Sequence, residues 1–300
     1  AVAKDIGMPD LPILIADSGD GNALSSMVRA TKVIVSTTGP FLKYGSELVR
    51  QCSLNGTHYC DITGEIDWIR IMIDMHCAAA ERTGAKIVSL CGHDCIPWDL
   101  SVLALSDHFK KKGDTLTEVR CYDEIRASAS GGTIATIFTA LSNRRKYKAA
   151  LGFDPLLRLP NGSKSDAKFL PDVQKTMGYS SEHGSWVGFF IMSMVMANCV
   201  RRSNVLLGYS KKLTYYEGRV HPNFFSAFNE ALGLIIFSCF LVTPPLSWLA
   251  LKTGMIPSPG DGPRAASMDK GFLKITSYGY GEGGSKTGNP VKGVIYFPTD

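Results

Sequence analysis

Val33-Ile34-Val35-Ser36-Thr37-Thr38-Gly39-Pro40 is the stretch on which the fold turns. Three β-branched residues, then small polar ones, then a Gly-Pro breaker predict a short strand that opens into a tight loop. The same plan repeats on both sides. Upstream, Ile13-Leu14-Ile15-Ala16 reads as a strand ending at Asp17, and residues 22–29 as a helix. Downstream, residues 45–55 read as a helix with Leu48, Val49 and Cys52 on one face, stopped by Gly56. His58-Tyr59-Cys60-Asp61-Ile62 is the next expected strand, and residues 65–82 a long helix stopped by Gly84. Residues 85–90 form a fourth expected strand, and residues 97–109 a helix with Pro97 in its first turn. Strands alternating with helices imply parallel βαβ units, and continuous Val/Ile runs imply burial on both faces. The fold class is therefore α/β, with a doubly wound parallel sheet.

In such sheets ligands bind outside the carboxyl ends of the strands. The strand-end residues are then Asp17, Thr37-Thr38-Gly39-Pro40, Asp61 to Glu65, and Gly92-His93-Asp94. Glycines and small residues at three consecutive ends let a ligand approach the backbone, although each glycine alone would serve a tight turn equally well. Asp17, Thr37, Thr38, Gly39, Pro40, Asp61, Gly92, His93 and Asp94 are the candidate cofactor contacts. Tyr44, His58, Tyr59, His93 and Asp94 are candidate proton donors, and none is singled out as catalytic. Capping of the following helix is a simpler account of Asp94 and Asp99. No G-x-G-x-x-G phosphate loop precedes Asp17, so that corner of a dinucleotide site is missing from the sequence.

At 300 residues the chain has room for about two domains at ~150 residues each. Residues 1–115 are expected to form the first and 116–300 the second. A net charge of +5, with no basic run beyond Lys110–Lys112, gives no footprint for nucleic acid. Eight cysteines without a C-x-x-C pair point to a reducing compartment and no metal site. No signal-peptide pattern is present, and the chain opens at Ala1 and stops just after an apolar run. Both ends read as cut from a longer protein.

Several of these stretches resemble saccharopine dehydrogenase-like oxidoreductases, in particular their trans-acting enoyl reductase branch. The resemblance rests on Val35 to Gly45, Gly56-Thr57-His58-Tyr59-Cys60-Asp61 and its continuation to Glu65, and Gly92 to Asp99. It extends through Ser130 to Ala135, Val200 to Gly208 and Pro257 to Pro263, in family order. It implies a Rossmann domain that binds NADP or NAD, then an α/β domain that completes the active site. The sequence departs from the family at His93, where Phe is usual, and at Cys95, where Ser is usual.

In the second half, residues 116–127 read as a strand, 132–149 as a helix, and 152–184 as a loop-rich lid or insertion. Residues 231–251 carry no charge, but Pro244-Pro245 breaks any straight helix there. A broken apolar hairpin entering one leaflet is one expectation; a buried helix pair or a homodimer interface is another, and a bilayer span is a third. Arg201 and Arg202 could hold an anionic group or anchor that segment. Residues 272–280 and 291–297 read as antiparallel strands. The expectation is an NAD(P)-dependent oxidoreductase acting on a lipid or other apolar substrate, on the cytoplasmic side of a membrane or lipid droplet, with a mitochondrial site open. The alternative is a non-catalytic membrane or lipid-droplet protein that keeps the fold.

Overall fold

Asp20 starts the first helix by accepting from the Asn22 and Ala23 N–H groups, at 2.9 and 3.1 Å. In the computed structural model, which describes residues 6–127, 165–174, 176–190, 192–243, 268–283, 290–298 and positions 4, 131, 252 and 262, this helix is α1 (Gly21–Arg29). It is followed by β1 (Val33–Ser36), α2 (Phe41–Tyr44), α3 (Ser46–Asn55), β2 (His58–Asp61), α4 (Ile66–Thr83), β3 (Ile87–Val88) and α5 (Ile96–Lys111). The second part holds β4 (Leu116–Arg126), β5 (Lys168–Val173), β6 (Gly178–Ser180), β7 (Ser185–Gly188), α6 (Ser193–Leu207), β8 (Lys212–His221), α7 (Phe224–Val242), β9 (Phe272–Gly281) and β10 (Val291–Phe297).

β1, β2 and β3 form a parallel sheet in that order. The remaining strands form a mixed sheet of order β10-β9-β4-β8-β7-β6, with β5 also pairing β8. The β4–β8 and β5–β8 pairs are parallel, whereas β9 runs antiparallel to both β4 and β10. The class is α/β, as expected, with a parallel first sheet and a mixed second one.

Three expectations are corrected. Ile13 to Ala16 is no strand: among the described residues β1 pairs only with β2, and Ile13, Leu14 and Ile15 stay exposed. Without a ladder partner an apolar run has no backbone reason to extend. The first sheet is also not buried on both faces within the described residues. Ser36, Tyr59 and Asp61 face the α3–α4 core, while Val33, Val35 and Val88 alternate outward. Finally, residues 152–184 contain β5 and β6, so this segment is partly sheet. The helix expected at 132–149 and the stretch 244–251 lie outside the described residues.

One core gathers Val28, Phe41, Val49, Cys52, Trp68 and Met72 beneath the first sheet. The larger one lies under the second sheet, where Trp98, Val102, Leu105 and Phe109 of α5 meet Val119, Leu213 and Ile275. Helix α5 follows the first sheet in sequence yet packs on the second. Gly279 makes this approach fit, since a Cβ there would sit 3.1 Å from Leu105 Cδ2 and 3.2 Å from Phe109 Cε2. Asp123 on β4 and Glu217 on β8 are buried beside this core. Asp123 Oδ1 accepts from Trp98 Nε1 at 2.9 Å, and Glu217 Oε2 accepts from the Tyr215 hydroxyl at 2.9 Å. Asp123 Oδ2 and Glu217 Oε1 have no hydrogen-bond partner, and the Asp123 charge adds to burial in disfavouring ionisation of Glu217. Burial accordingly pushes the Asp123 carboxyl up to about 7 and Glu217 well above the carboxylate range.

Candidate active site

A parallel sheet places all its carboxyl ends on one side, so the loops after β1, β2 and β3 are neighbours. Thr37, Thr38 and Gly39 are exposed there, and Pro40 is half-buried. The loop after β2 is tied to this one by Glu65. Its two carboxylate oxygens accept from the Phe41 and Leu42 N–H groups, both at 2.8 Å. These are the first donors of α2, which leave a helix start unsatisfied unless something caps them. Glu65 caps them from a different loop, so its two hydrogen bonds tie the first two loops together.

Asp61 ends β2 and is fully buried. Its carboxylate accepts from Thr63 N–H and the Ser89 hydroxyl, both at 3.1 Å. Burial pushes this carboxyl up, and the Thr63 N–H pulls it back. Its backbone carbonyl accepts from Cys91 N–H at 2.8 Å. Asp61 therefore braces the second and third loops from beneath and presents no surface to a ligand. Between them Leu90 adopts φ 63°, a left-handed backbone that costs a residue with a Cβ about 1–2 kcal/mol. Its buried side chain and the Asp61 contacts hold it there.

Gly92 has no room for a side chain: a Cβ would lie 2.5 Å from Asp94 Oδ1 and 3.4 Å from Ile62 Cβ. His93 is exposed, its ring edge-on to Phe297 of β10 at 5.2 Å. Asp94 is half-buried, and burial pushes its carboxyl up. Neither Asp94 nor Asp99 caps α5, whose N-cap Cys95 has no side-chain cap. Asp99 instead accepts from the Ser203 hydroxyl of α6 at 2.8 Å, and burial pushes its carboxyl up to about 6.

The structure therefore brings together Thr37 to Pro40, Asp61 and Gly92 to Asp94. Asp17 joins them only loosely. It is exposed, and its carboxylate accepts from Gly19 N–H at 2.7 Å in the turn before α1. Two candidate donors drop out. His58 opens β2 at the opposite end, and its Nδ1 accepts from Lys86 N–H at 3.1 Å. Tyr59 points into the core, 1% exposed. Arg201 is likewise no surface anchor. It is buried, donates to Asn198 Oδ1 at 2.9 Å and lies 5.0 Å over the Phe169 ring. The second unit reaches the loops at Gly64, where a Cβ would meet Val195 of α6 at 3.3 Å.

Glu65, Ser89 and Leu90 are the parts that sequence reasoning missed. Only Glu65, an acid directly before a long helix, carried a signal. A nicotinamide nucleotide fits part of this arrangement. The exposed Thr37–Gly39 turn offers close backbone approach, whereas Gly92 is buried beside the Asp94 carboxylate. The α2 start, however, is filled by Glu65 and leaves its first N–H groups closed to a phosphate.

No family model matches the chain. Among the curated proteins, a trans-acting enoyl reductase of Mycobacterium tuberculosis is 34% identical over 283 residues, covering 89% of this chain and 67% of that protein. One from Mycobacterium ulcerans is 30% identical over 294 residues, covering 90% of this chain and 68% of that protein. Among solved structures, the saccharopine dehydrogenase (L-Glu forming) of Saccharomyces cerevisiae matches with a TM-score of 0.31 and 17% identity, over 42% of this chain and 26% of that one. A parallel βαβ sheet with its polar loops at one end, followed by a mixed sheet, puts the molecule in the α/β class. At that identity and coverage, the chain belongs to the trans-acting enoyl reductase family.

Proposed function

We propose that this chain is part of an NAD(P)-dependent reductase of an enoyl group carried on a lipid or other apolar molecule. The structural observation that carries the nucleotide-binding part of the reading is the Glu65 bridge, which ties the loops after β1 and β2 into one rim. When bound, a reduced nicotinamide supplies hydride. The Thr37–Gly39 turn and Gly92 to Asp94 would line its binding site. Asp61 and Glu65 act as positioning residues beneath it, and His93 and Asp94 are the polar groups that face the crevice. The enoyl substrate follows the names of the relatives.

The apolar character of the substrate, and contact with a membrane or lipid-droplet surface, rest on α7. Phe225, Phe228, Leu232 and Ile235 recur at helical spacing and are 74, 45, 44 and 61% exposed. The helix has one charged residue, Glu230, and it is turned inward to Arg219 at 2.7 Å. No helix among the described residues is long and apolar enough to cross a membrane. Contact with one leaflet is therefore the form proposed, in place of a span.

The test is loss of nicotinamide absorbance with a trans-2-decenoyl thioester, using the full chain and each of NADPH and NADH. Turnover with at least one is expected. Glu65→Gln, which weakens the cap by one charge, should raise the KM for the nucleotide about tenfold, the size of a lost charged hydrogen bond. Absence of turnover with both nucleotides, or an unchanged KM in Glu65→Gln, would overturn the reading.

A further inference from the structure

The second sheet carries a cavity of about 620 Å³ that the proposed crevice does not use. Its floor comes from alternate residues of β9 and of the edge strand β10. Lys274, Thr276 and Tyr278 of β9 line it, whereas Leu273 and Ile275, one residue out of phase, belong to the α5 core. Lys292 and Val294 of β10 stand beside them, in register with Tyr278 and Thr276. One wall is the β6–β7 hairpin with His183 and Ser185, and the other is the start of α7 with Ser226 and Glu230. This volume lies within the range of small-molecule sites.

The charges in the cavity do not balance. Lys274 Nζ is 2.6 Å from Glu124 Oε1, and Arg219 Nε is 2.7 Å from Glu230 Oε1, so both carboxylates are taken. Lys292 is left with an aromatic contact only, its Nζ 5.8 Å over the Tyr278 ring, and no ion pair among the described residues. The two histidines at the rim add no compensating negative charge. His183 stacks on Tyr122 at 4.8 Å and 17°, and its Nδ1 is buried without a hydrogen-bonding partner. A buried polar atom of this kind is normally satisfied by something. His221 lies 4.0 Å from Glu230 and is also buried. Burial lowers the pKa of both rings and keeps them neutral near pH 7.

We infer that this cavity is a second ligand site, taking a small molecule with an oxyanion group, a carboxylate or a phosphate ester. Lys292 supplies the charge, with Lys274 behind it, and Ser185, Ser226 and Thr276 supply hydroxyl donors. Tyr278 and the His183 ring, set edge-on to each other at 83°, form a weakly polar aromatic corner for the rest of the ligand.

The test is titration calorimetry of the full chain with inorganic phosphate and, separately, with succinate, each with and without saturating NADPH. At least one anion should bind saturably, and NADPH should not displace it. The tighter of the two identifies the phosphate or the carboxylate source. Lys292→Ala changes an exposed residue and should weaken that binding about tenfold, the usual cost of a lost charged contact. Lys292→Arg should restore most of it. Three results would each overturn the assignment. They are no saturable heat from either anion up to about 10 mM, displacement by NADPH, or binding that Lys292→Ala leaves unchanged.

Discussion

Both sheets turn alternate residues inward and outward and use the alternation for different ends. The first has strands of only four, four and two residues. One of its faces leaves Val33, Val35 and Val88 exposed within the described residues, and its buried polar groups, Asp61 and Thr63, brace loops. The second has strands of 11, 10 and 10 residues at its centre. It buries aromatic side chains against α5 and α6, and its buried polar groups, Asp123 and Glu217, brace the core itself. Stability therefore resides chiefly in the second sheet, and ligand geometry in the first. Helix α5 joins the two, since its start carries the Gly92–Asp94 loop and its body fills the second core.

The strongest way to break this contrast is Trp98→Ala. Trp98 is 2% exposed, fills the second core and donates to Asp123. Truncating a buried tryptophan costs about 3–5 kcal/mol, and the orphaned carboxylate adds to that. Urea unfolding should show a loss of this size. A loss below about 1 kcal/mol would mean that the second core does not carry the stability.

The sequence showed the parallel βαβ alternation because both of its signals are local. Val/Ile runs and helix stops such as Gly56 and Gly84 need no distant partner to be read. It misplaced Ile13 to Ala16 because an apolar run looks the same with or without a ladder beside it. It read 152–184 as loop because β6 is three residues long and β5 contains Pro171, and both are held by pairing with strands downstream. The strand-end loops were legible as a group, since topology alone places them together. Glu65 and Asp61 were not legible in their actual roles. Their partners, Phe41, Leu42 and Ser89, are 23 to 28 residues away and are met only after the sheet forms. The Lys274–Lys292 cavity was hidden for the same reason, because its lining comes from six segments that only the strand order brings together.

A matched pair sharpens the contrast. Val35 on β1 is 68% exposed, and Val119 on β4 is 0% exposed. Val→Thr keeps the β-branched shape and adds one hydroxyl, so it measures the surroundings rather than strand propensity. Val35→Thr should stay within about 0.5 kcal/mol of the parent, as exposed substitutions do. Val119→Thr should cost about 1–3 kcal/mol, because its hydroxyl is buried in an apolar core. Equal effects at the two sites would show that something covers the outer face of the first sheet.

A different kind of test is pH dependence, and it belongs to the second sheet. Asp123 is pushed up to about 7 by burial, and Glu217 further, against ordinary carboxylates near 4. Between those values the folded chain keeps protons that the unfolded chain has released. Stability must therefore fall as pH rises from about 4 through 7, because unfolding then releases protons. One retained proton corresponds to a slope of about 1.4 kcal/mol per pH unit. Asp123→Asn preserves an oxygen for Trp98 and removes one of the two ionisations. Its unfolding free energy should accordingly fall less steeply than the parent's between about pH 5 and 7. Parallel curves for the two proteins would mean that the Asp123–Glu217 pair holds no extra proton in the fold. The partnerless oxygens would then need another donor, and the second sheet would lose the internal acid pair that sets it apart from the first.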